Sequence, residues 1–245
     1  MRILVVNPNT TASMTHRIGA AARAAAAPGT AISAVNPDMG PASIEGFYDE
    51  AFALPGLLHT IREGEDAGYD AYVIACFDDT GLDAARALAR GPVVGICEAG
   101  VHCASLLANR FSIVTTLARS IVPIEALVAR YGAAGRCRVR AADVPVLALE
   151  DPASQASARV REEIGRALEH DRAEAVLLGC AGMTDLAQRF TAELGVPVLD
   201  GVACAVKLAE ALVALGLRTS KVGSYAYPLA KAYAGELARF APPRR

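Results

Sequence analysis

The chain has 245 residues, of which 53% are hydrophobic and 20% charged, and its formal net charge at pH 7 is −2. Such a chain can bury a large core, but it lacks the positive field that nucleic acids or anionic lipid surfaces require. The apolar fraction exceeds what a small monomer needs, which predicts buried contacts between identical subunits.

The sequence predicts neither a targeting segment nor a disulfide framework. Met1 and Arg2 precede only four apolar residues before Asn7, and no apolar run approaches the roughly 20 residues of a membrane helix. We therefore predict a cytoplasmic protein that binds no membrane. Its six cysteines are then not a disulfide framework, and no pair has C-x-x-C spacing. The four histidines are far apart in sequence, so no metal site is expected.

The first part of the chain alternates short apolar runs with amphipathic segments. Strands are predicted at 3–6, 31–35, 71–75 and 93–96, and helices at 12–26, 48–67, 82–89 and 98–108. Asparagine and threonine after the first strand are predicted to cap the first helix, and Asp79 or Thr80 the third. The loop at 36–46 is long for a compact α/β unit, and such loops are often functional. Glu45 in this loop is expected to be an ordinary solvated acid.

The second part of the chain repeats this order. Strands are predicted at 111–114, 137–142, 175–178 and 196–199, and helices at 120–131, 154–170, from about 184, and 201–215. In the tail at 220–240, a last helix is predicted after a loop at Tyr225–Pro228, and it is expected to pack back on the first part.

Two stretches in this pattern echo each other. AYVIACFDDTGL at 71–82 and AVLLGCAGMTDL at 175–186 each run from a strand through a cysteine to a helix. This repetition predicts an α/β fold of two similar subdomains, each a mostly parallel sheet flanked by helices, related by a pseudo-two-fold axis with the site in the cleft between them. The predicted units are 1–97 with 205–245, and 98–204.

Familiar α/β binding motifs are absent. No G-x-G-x-x-G follows the first strand, no Walker motif occurs, and Leu178 stands where a nucleophile elbow begins with glycine. Dinucleotide binding, phosphate-loop chemistry and a hydrolase triad are thus unsupported.

The two strand-end cysteines suggest proton chemistry. A thiol that faces a helix N-terminus is expected to have a lowered pKa, although Asp78 and Asp79 beside Cys76 act in the opposite direction. Two thiols on opposite sides of a small ligand could invert a carbon acid, one removing a proton and the other delivering one. Asn9, Thr115, Thr116 and backbone amides are candidate donors to the enolate oxygen, and the chemistry requires no cofactor.

Five motifs together resemble the Asp/Glu/hydantoin racemase family, on its hydantoin and allantoin racemase branch. They are NPNTT near the start, GPASIEG at Gly40–Gly46, CFDDTGLDAAR at Cys76–Arg86, VTTLARSIVP at Val114–Pro123 and LGCAGM at Leu178–Met183. The resemblance implies two similar α/β subdomains, a cofactor-independent two-base mechanism and homo-oligomers. It assigns the catalytic roles to Cys76 and Cys180. The residues expected to contact the substrate are Asn9, Pro41, Ile44, Phe77, Asp78, Thr115, Thr116, Gly179, Ala181 and Gly182.

The expected substrate is a cyclic ureide, either a 5-substituted hydantoin or allantoin. Amino-acid racemases of the wider family follow the second cysteine with threonine and histidine, whereas Ala181-Gly182 follows it here, which fits a neutral ring. Arg119 could still pair with a carboxylate, so an aspartate or glutamate racemase stays open. Cis–trans isomerisation or decarboxylation of a diacid, and ligand binding without catalysis, stay open as well. The remaining cysteines are expected to be small core residues.

Overall fold

The computed structural model describes residues 1–151 and 153–242, and the side chain of Glu150 is not part of that description. Its strands are β1 (Arg2–Val6), β2 (Ala31–Val35), β3 (Ala71–Ile74), β4 (Val93–Gly95), β5 (Phe111–Thr115), β6 (Cys137–Ala141), β7 (Ala175–Gly179) and β8 (Val198–Asp200). Its helices are α1 (Ala12–Ala25), α2 (Phe47–Asp66), α3 (Leu82–Leu88), α4 (Ile96–Leu107), α5 (Ile121–Arg130), α6 (Ala156–His170), α7 (Ala187–Leu194) and α8 (Gly201–Ala214).

The strands form two four-stranded sheets of the same order. The first is β2-β1-β3-β4 and the second β6-β5-β7-β8, and every described pairing is parallel. Each sheet therefore has two central strands, which are almost entirely buried because helices cover both faces. The predicted α/β fold with two similar sheets is confirmed.

One continuous core lies between the sheets. It joins apolar side chains of β1 and β3 to those of β5 and β7, with α4 and α8 packed between them. Smaller cores lie under α2 and α3 on the first sheet and under α6 and α7 on the second. The boundaries at 97/98 and 204/205 stay a prediction, and residues 152 and 243–245 of those units lie outside the described residues. Within the described part of the chain, no helix has the length and hydropathy to cross a membrane.

The prediction of a last helix within 220–240 was wrong. Only short 3-10 turns occur there, at Gly223–Tyr225 and Gly235–Phe240. Both turns begin at glycines with positive φ, and Gly235 lies inside the stretch after Pro228 where the helix was predicted, with a backbone conformation that a helix interior does not contain. The segment does pack back on the first part of the chain, where the Tyr225 hydroxyl donates to Asp83 at 2.8 Å.

The predicted helix caps also differ. The side chain of Thr11, the N-cap residue of α1, makes no capping bond, and the N-cap of α3 is Gly81 rather than Asp79 or Thr80. Asp79 adopts a left-handed conformation with φ of 47°, and its carboxylate instead accepts hydrogen bonds from the first amides of α4. The sequence pattern could not distinguish these two helices.

Asp79 connects the turn after β3 to both parts of the chain. Its oxygens accept from Cys97 N at 3.0 Å, Glu98 N at 2.9 Å and the Tyr131 hydroxyl at 2.6 Å. Burial raises the pKa of Asp79 to about 7, although these three donors act to lower it. Gly95 makes the approach feasible, because a Cβ atom there would lie 2.2 Å from Asp79 Oδ1.

We predict that Gly95→Ala lowers the free energy of unfolding by about 1–3 kcal/mol, since the added methyl must displace the Asp79 carboxylate. Gly165→Ala is the control, because Gly165 lies on α6 with no atom within 4 Å of the Cβ that would be added. That substitution should raise the free energy of unfolding by about 0.5–1 kcal/mol through helix propensity. Chemical denaturation of both variants measures the difference, and equal effects would contradict the role of Gly95.

Candidate active site

The carboxyl ends of the central strands of both sheets surround one small cavity. Cys76 follows β3 and Cys180 follows β7, while β1 leads into Asn9 and β5 ends at Thr115. The cavity has a volume of about 40 Å³. Its lining residues are Asn9, Met14, Ile44, Ala75, Cys76, Phe77, Asp78, Thr115, Thr116, Ser120, Val146, Gly179, Cys180 and Ala181. The two thiols therefore face the same space from opposite parts of the chain.

The lining of the cavity includes every predicted site residue except Pro41 and Gly182. The Pro41 carbonyl accepts a hydrogen bond from Thr10 N at 2.9 Å, and the Gly182 amide donates to Cys180 Sγ at 3.4 Å. Phe47, the first residue of α2, is 71% exposed and lies outside the lining.

Sequence reasoning missed four lining residues. Met14 lies just beyond the NPNTT motif, and Ser120 lies within VTTLARSIVP, four residues after Thr116, so considering the residues around each named position would have included both. Ala75 immediately precedes the first cysteine. Val146 carries no local signal, because it reaches the cavity from a 3-10 turn between β6 and α6.

Gly179 allows the two central strands of the second sheet to approach closely at the site. A Cβ atom on Gly179 would lie 2.9 Å from the Thr115 backbone. The Thr115 hydroxyl donates to the Gly179 carbonyl at 3.0 Å, so this donor is already used. The Thr116 hydroxyl makes no hydrogen bond within the described residues and remains able to donate to a ligand.

Asn9 is held by a buried polar network at the end of β1. Its Oδ1 accepts from Asn7 Nδ2 at 2.8 Å and from Thr11 N at 2.9 Å. Its Nδ2 donates to Met14 Sδ at 3.3 Å, and a thioether is a weak acceptor. The orientation of Asn9 is thus fixed through its oxygen, and its amide nitrogen is left with little competition for a ligand oxygen.

Burial dominates the protonation of Cys76. Although one side of the thiol faces the cavity, the group lies deep in the protein, and this desolvation raises its pKa well above the ordinary value. The carboxylate of Asp78 raises it further. The Thr80 hydroxyl and the Asp78 amide act in the opposite direction, and the Cys180 thiol adds a smaller upward effect.

The same balance applies to Cys180. Burial raises the pKa of this thiol to about 11. The Gly182 amide lowers it, Asp78 raises it, and the charges of Arg17 and Glu45 act in opposite directions. The expectation that a helix N-terminus lowers the thiol pKa was therefore wrong, because the net effect of the surroundings is to raise the pKa of both thiols. The element after Cys180 is a six-residue 3-10 turn, Ala181–Leu186, and its amides do not compensate for desolvation.

Asp78 is the one carboxyl group among the lining residues that the structure describes. Burial raises its pKa to about 6, and the charge of Glu50 on α2 contributes in the same direction. The Asp78 carboxylate raises the pKa of both thiols, so the three groups titrate against one another.

Two hydrogen bonds join the first part of the chain to the 3-10 turn Val146–Glu150 of the second part. The Glu45 carboxylate, from the loop before α2, accepts a hydrogen bond from Val146 N at 3.0 Å. Arg17 on α1 donates to the Leu149 carbonyl at 3.0 Å. Glu45 is therefore not the ordinary loop acid that the sequence predicts. The sequence could not show this, because the partner of Glu45 is too distant along the chain to leave a local signal.

The lining carries no positive charge. Within the described part of the chain, no arginine, lysine or histidine lines the cavity. Arg119 is exposed, and its guanidinium lies against Gly46, where an added Cβ atom would be 2.9 Å from it. Among the described residues, no group of three histidine, cysteine, aspartate or glutamate side chains could hold a metal ion.

Known proteins resemble the chain over nearly its whole length. The family model for Asp/Glu/Hydantoin racemase matches residues 3–209. A hydantoin racemase of Rhizobium meliloti is 54% identical over 236 residues, which cover 96% of this chain and 98% of that protein. One from Pseudomonas sp. (strain NS671) is 50% identical over 98% of this chain and 97% of its own length. The solved structure of allantoin racemase from Klebsiella pneumoniae superposes with a TM-score of 0.96 at 54% identity, covering 99% of both chains.

We predict that Asp78→Asn lowers the pKa of both thiols by about one unit, because it removes the negative charge that they share. The measurement is the rate of iodoacetamide alkylation against pH, quantified on two tryptic peptides. Residues 63–86 carry Cys76 alone and residues 173–189 carry Cys180 alone. Asp83→Asn makes the same charge change at an exposed carboxylate paired with Arg130, and should leave both profiles in place. Profiles that move alike in the two variants would contradict a local effect of Asp78.

Proposed function

The chain belongs to the Asp/Glu/hydantoin racemase family, and from that premise we propose that it racemises a 5-substituted hydantoin or allantoin at ring carbon C5 without a cofactor. Its relatives named hydantoin and allantoin racemase make it an enzyme of the isomerase class. The observation that carries the finer proposal is the pair of thiols, Cys76 and Cys180, facing one small cavity from opposite halves.

The reaction exchanges one proton for another across the ring. A thiolate at one cysteine takes the C5 proton and becomes a thiol, and the electron pair of the C–H bond moves into the ring as an enolate. The thiol of the other cysteine then protonates C5 from the opposite face and becomes a thiolate. The free enzyme therefore ends with its thiol and thiolate interchanged, which prepares it for the other enantiomer.

The enolate oxygen forms at the carbonyl beside C5 and requires hydrogen-bond donors that are already in position. The Asn9 amide and the Thr116 hydroxyl both line the cavity and have donor capacity left over. Neither is charged, which suits an oxygen whose negative charge is delocalised over the ring. Gly179 and Ala181, which line the cavity beside Cys180, carry no bulky side chain that would compete with a ring for this space.

The charge of the cavity favours a neutral ring over a diacid or a free amino acid. Either of those substrates would bring a carboxylate beside Asp78, with no cationic side chain among the described lining residues to receive it. Arg119, the residue that kept those substrates open, lies against Gly46 at the surface. A decarboxylase would use one cysteine, and a silent binding protein would use neither.

We predict that the purified protein abolishes the circular dichroism signal of single-enantiomer allantoin or of one class of 5-substituted hydantoin, with chelator present and no cofactor added. Hydantoins with methyl, isobutyl and benzyl substituents identify which side chains enter. Allantoin distinguishes a ureido substituent from these. If all signals persist, the hydantoin proposal fails, and maleate isomerisation and free aspartate or glutamate become the substrates to test.

We also predict that Cys76→Ala and Cys180→Ala each abolish racemisation, while each retains exchange of the C5 proton with deuterated water for one enantiomer only. The remaining thiolate can still remove a proton from its own face and return one there. Because the two enantiomers are equally stable, kcat/KM is equal in both directions for any variant, and only exchange separates the two faces. Cys97→Ala, a substitution in the core, should preserve both activities apart from its effect on stability. Exchange of both enantiomers, or of the same one, in the two catalytic variants would exclude the two-thiol mechanism.

A further inference from the structure

Thr80 is a buried residue whose hydroxyl group forms no hydrogen bond of standard geometry within the described residues. Its exposed fraction is 0%. A buried hydroxyl without a partner is destabilising, and native proteins usually avoid it. Thr60, another buried threonine, shows the usual arrangement, since its hydroxyl donates to the Gly56 carbonyl at 3.1 Å.

The neighbour of this hydroxyl is the thiol of Cys76. The chain turns back immediately after β3, with Asp79 N donating to the Cys76 carbonyl at 3.0 Å and Leu82 N to the Asp79 carbonyl at 3.0 Å. This turn brings Thr80 within reach of the sulfur, where its hydroxyl lowers the pKa of Cys76. A neutral thiol is a poor acceptor, whereas a thiolate is a strong one.

We propose that Thr80 is a positioning residue whose hydroxyl completes its hydrogen bond only when Cys76 is ionised, so that it favours the thiolate state and orients it toward the ring. The inference deepens the proposed function and rests on it, because the thiolate of Cys76 is the form that removes a proton from C5. Within the described residues, the Thr80 hydroxyl is thus a donor whose full hydrogen bond forms when Cys76 becomes charged during turnover.

Other groups around Cys76 oppose the effect of the Thr80 hydroxyl on its ionisation. Asp78 on the same turn and Cys180 across the cavity both oppose ionisation of Cys76, and Glu50 on α2 acts on Asp78. Arg17 and Glu45 act on Cys180 instead. The donor to Cys180 is the backbone amide of Gly182, so within the described residues Thr80 has no side-chain counterpart in the other half.

The test is Thr80→Val, which keeps the shape of the side chain and removes the donor. We expect iodoacetamide to alkylate Cys76 about tenfold more slowly below its pKa, with the pH profile of peptide 63–86 moved upward by about one unit. The profile of Cys180 in peptide 173–189 should stay unchanged, which makes it an internal control. Thr80→Ser should keep the original Cys76 profile, and Thr80→Ala serves as a second donor-free variant should the valine variant fail to fold.

Thermal unfolding separates this role from a structural one. Removing an unpartnered buried hydroxyl should leave the melting temperature of Thr80→Val equal or higher, whereas Thr60→Val loses a formed hydrogen bond and should melt lower without altering either thiol profile. An unchanged Cys76 profile in the donor-free variants, or equal shifts at both cysteines, overturns the inference. Alkylation requires no substrate, so a Cys76 shift without racemisation of any hydantoin would retain the hydrogen bond and reject the proposed function.

Discussion

The buried carboxylate of Asp79 fixes the geometry on which the site depends. It accepts hydrogen bonds from the first amides of α4, the helix that crosses from the first sheet to the second. It also accepts one from the hydroxyl of Tyr131 at the end of α5. It also stands three residues after Cys76, in a turn closed by its own amide and carbonyl. Any movement of α4 relative to the first sheet is therefore transmitted through Asp79 to the thiol of Cys76. In the proposed mechanism, two thiols on separate sheets act on one ring, and this junction holds their separation constant.

Desolvation then determines the resting charge of the cavity. Burial raises the pKa of both thiols, and at neutral pH a group with a pKa of about 11 is ionised in about one molecule in ten thousand. Asp78, with a pKa of about 6, carries most of the negative charge at that pH. A thiolate in this setting is scarce but strongly basic, which suits removal of a proton from carbon. The donors that stabilise the thiolate, Thr80 and the Gly182 amide, consequently matter more here than they would in water.

Most of the fold could be predicted from the sequence, because the patterns that indicate strands and helices are local. Apolar runs of four or five residues ending at Cys76, Thr115 and Cys180 marked the central strands, and the repeated order of strands predicted two similar sheets. Contacts between distant segments left no such signal. The bond from Val146 to Glu45 joins residues 101 positions apart, and the left-handed backbone at Asp79 redirects its carboxylate from one helix to another. The prediction for the tail was wrong for a different reason, since the apolar spacing after Pro228 resembles that of a helix while the left-handed backbone at Gly235 interrupts one.

The repeated architecture does not make the two thiols equivalent. Duplication preserves where a strand ends, because that is set by the sheet, but it does not preserve the turn after the cysteine. After β3 the chain makes a turn that carries Asp78 and Thr80 side chains toward Cys76, whereas after β7 it makes a 3-10 turn that offers Cys180 a backbone amide. A side-chain donor can be altered by a single substitution, and a backbone donor cannot. In the proposed mechanism, the turn after Cys76 is therefore where substitutions tune the balance between the two proton-transfer states, while the turn after Cys180 holds its donor by the path of the backbone.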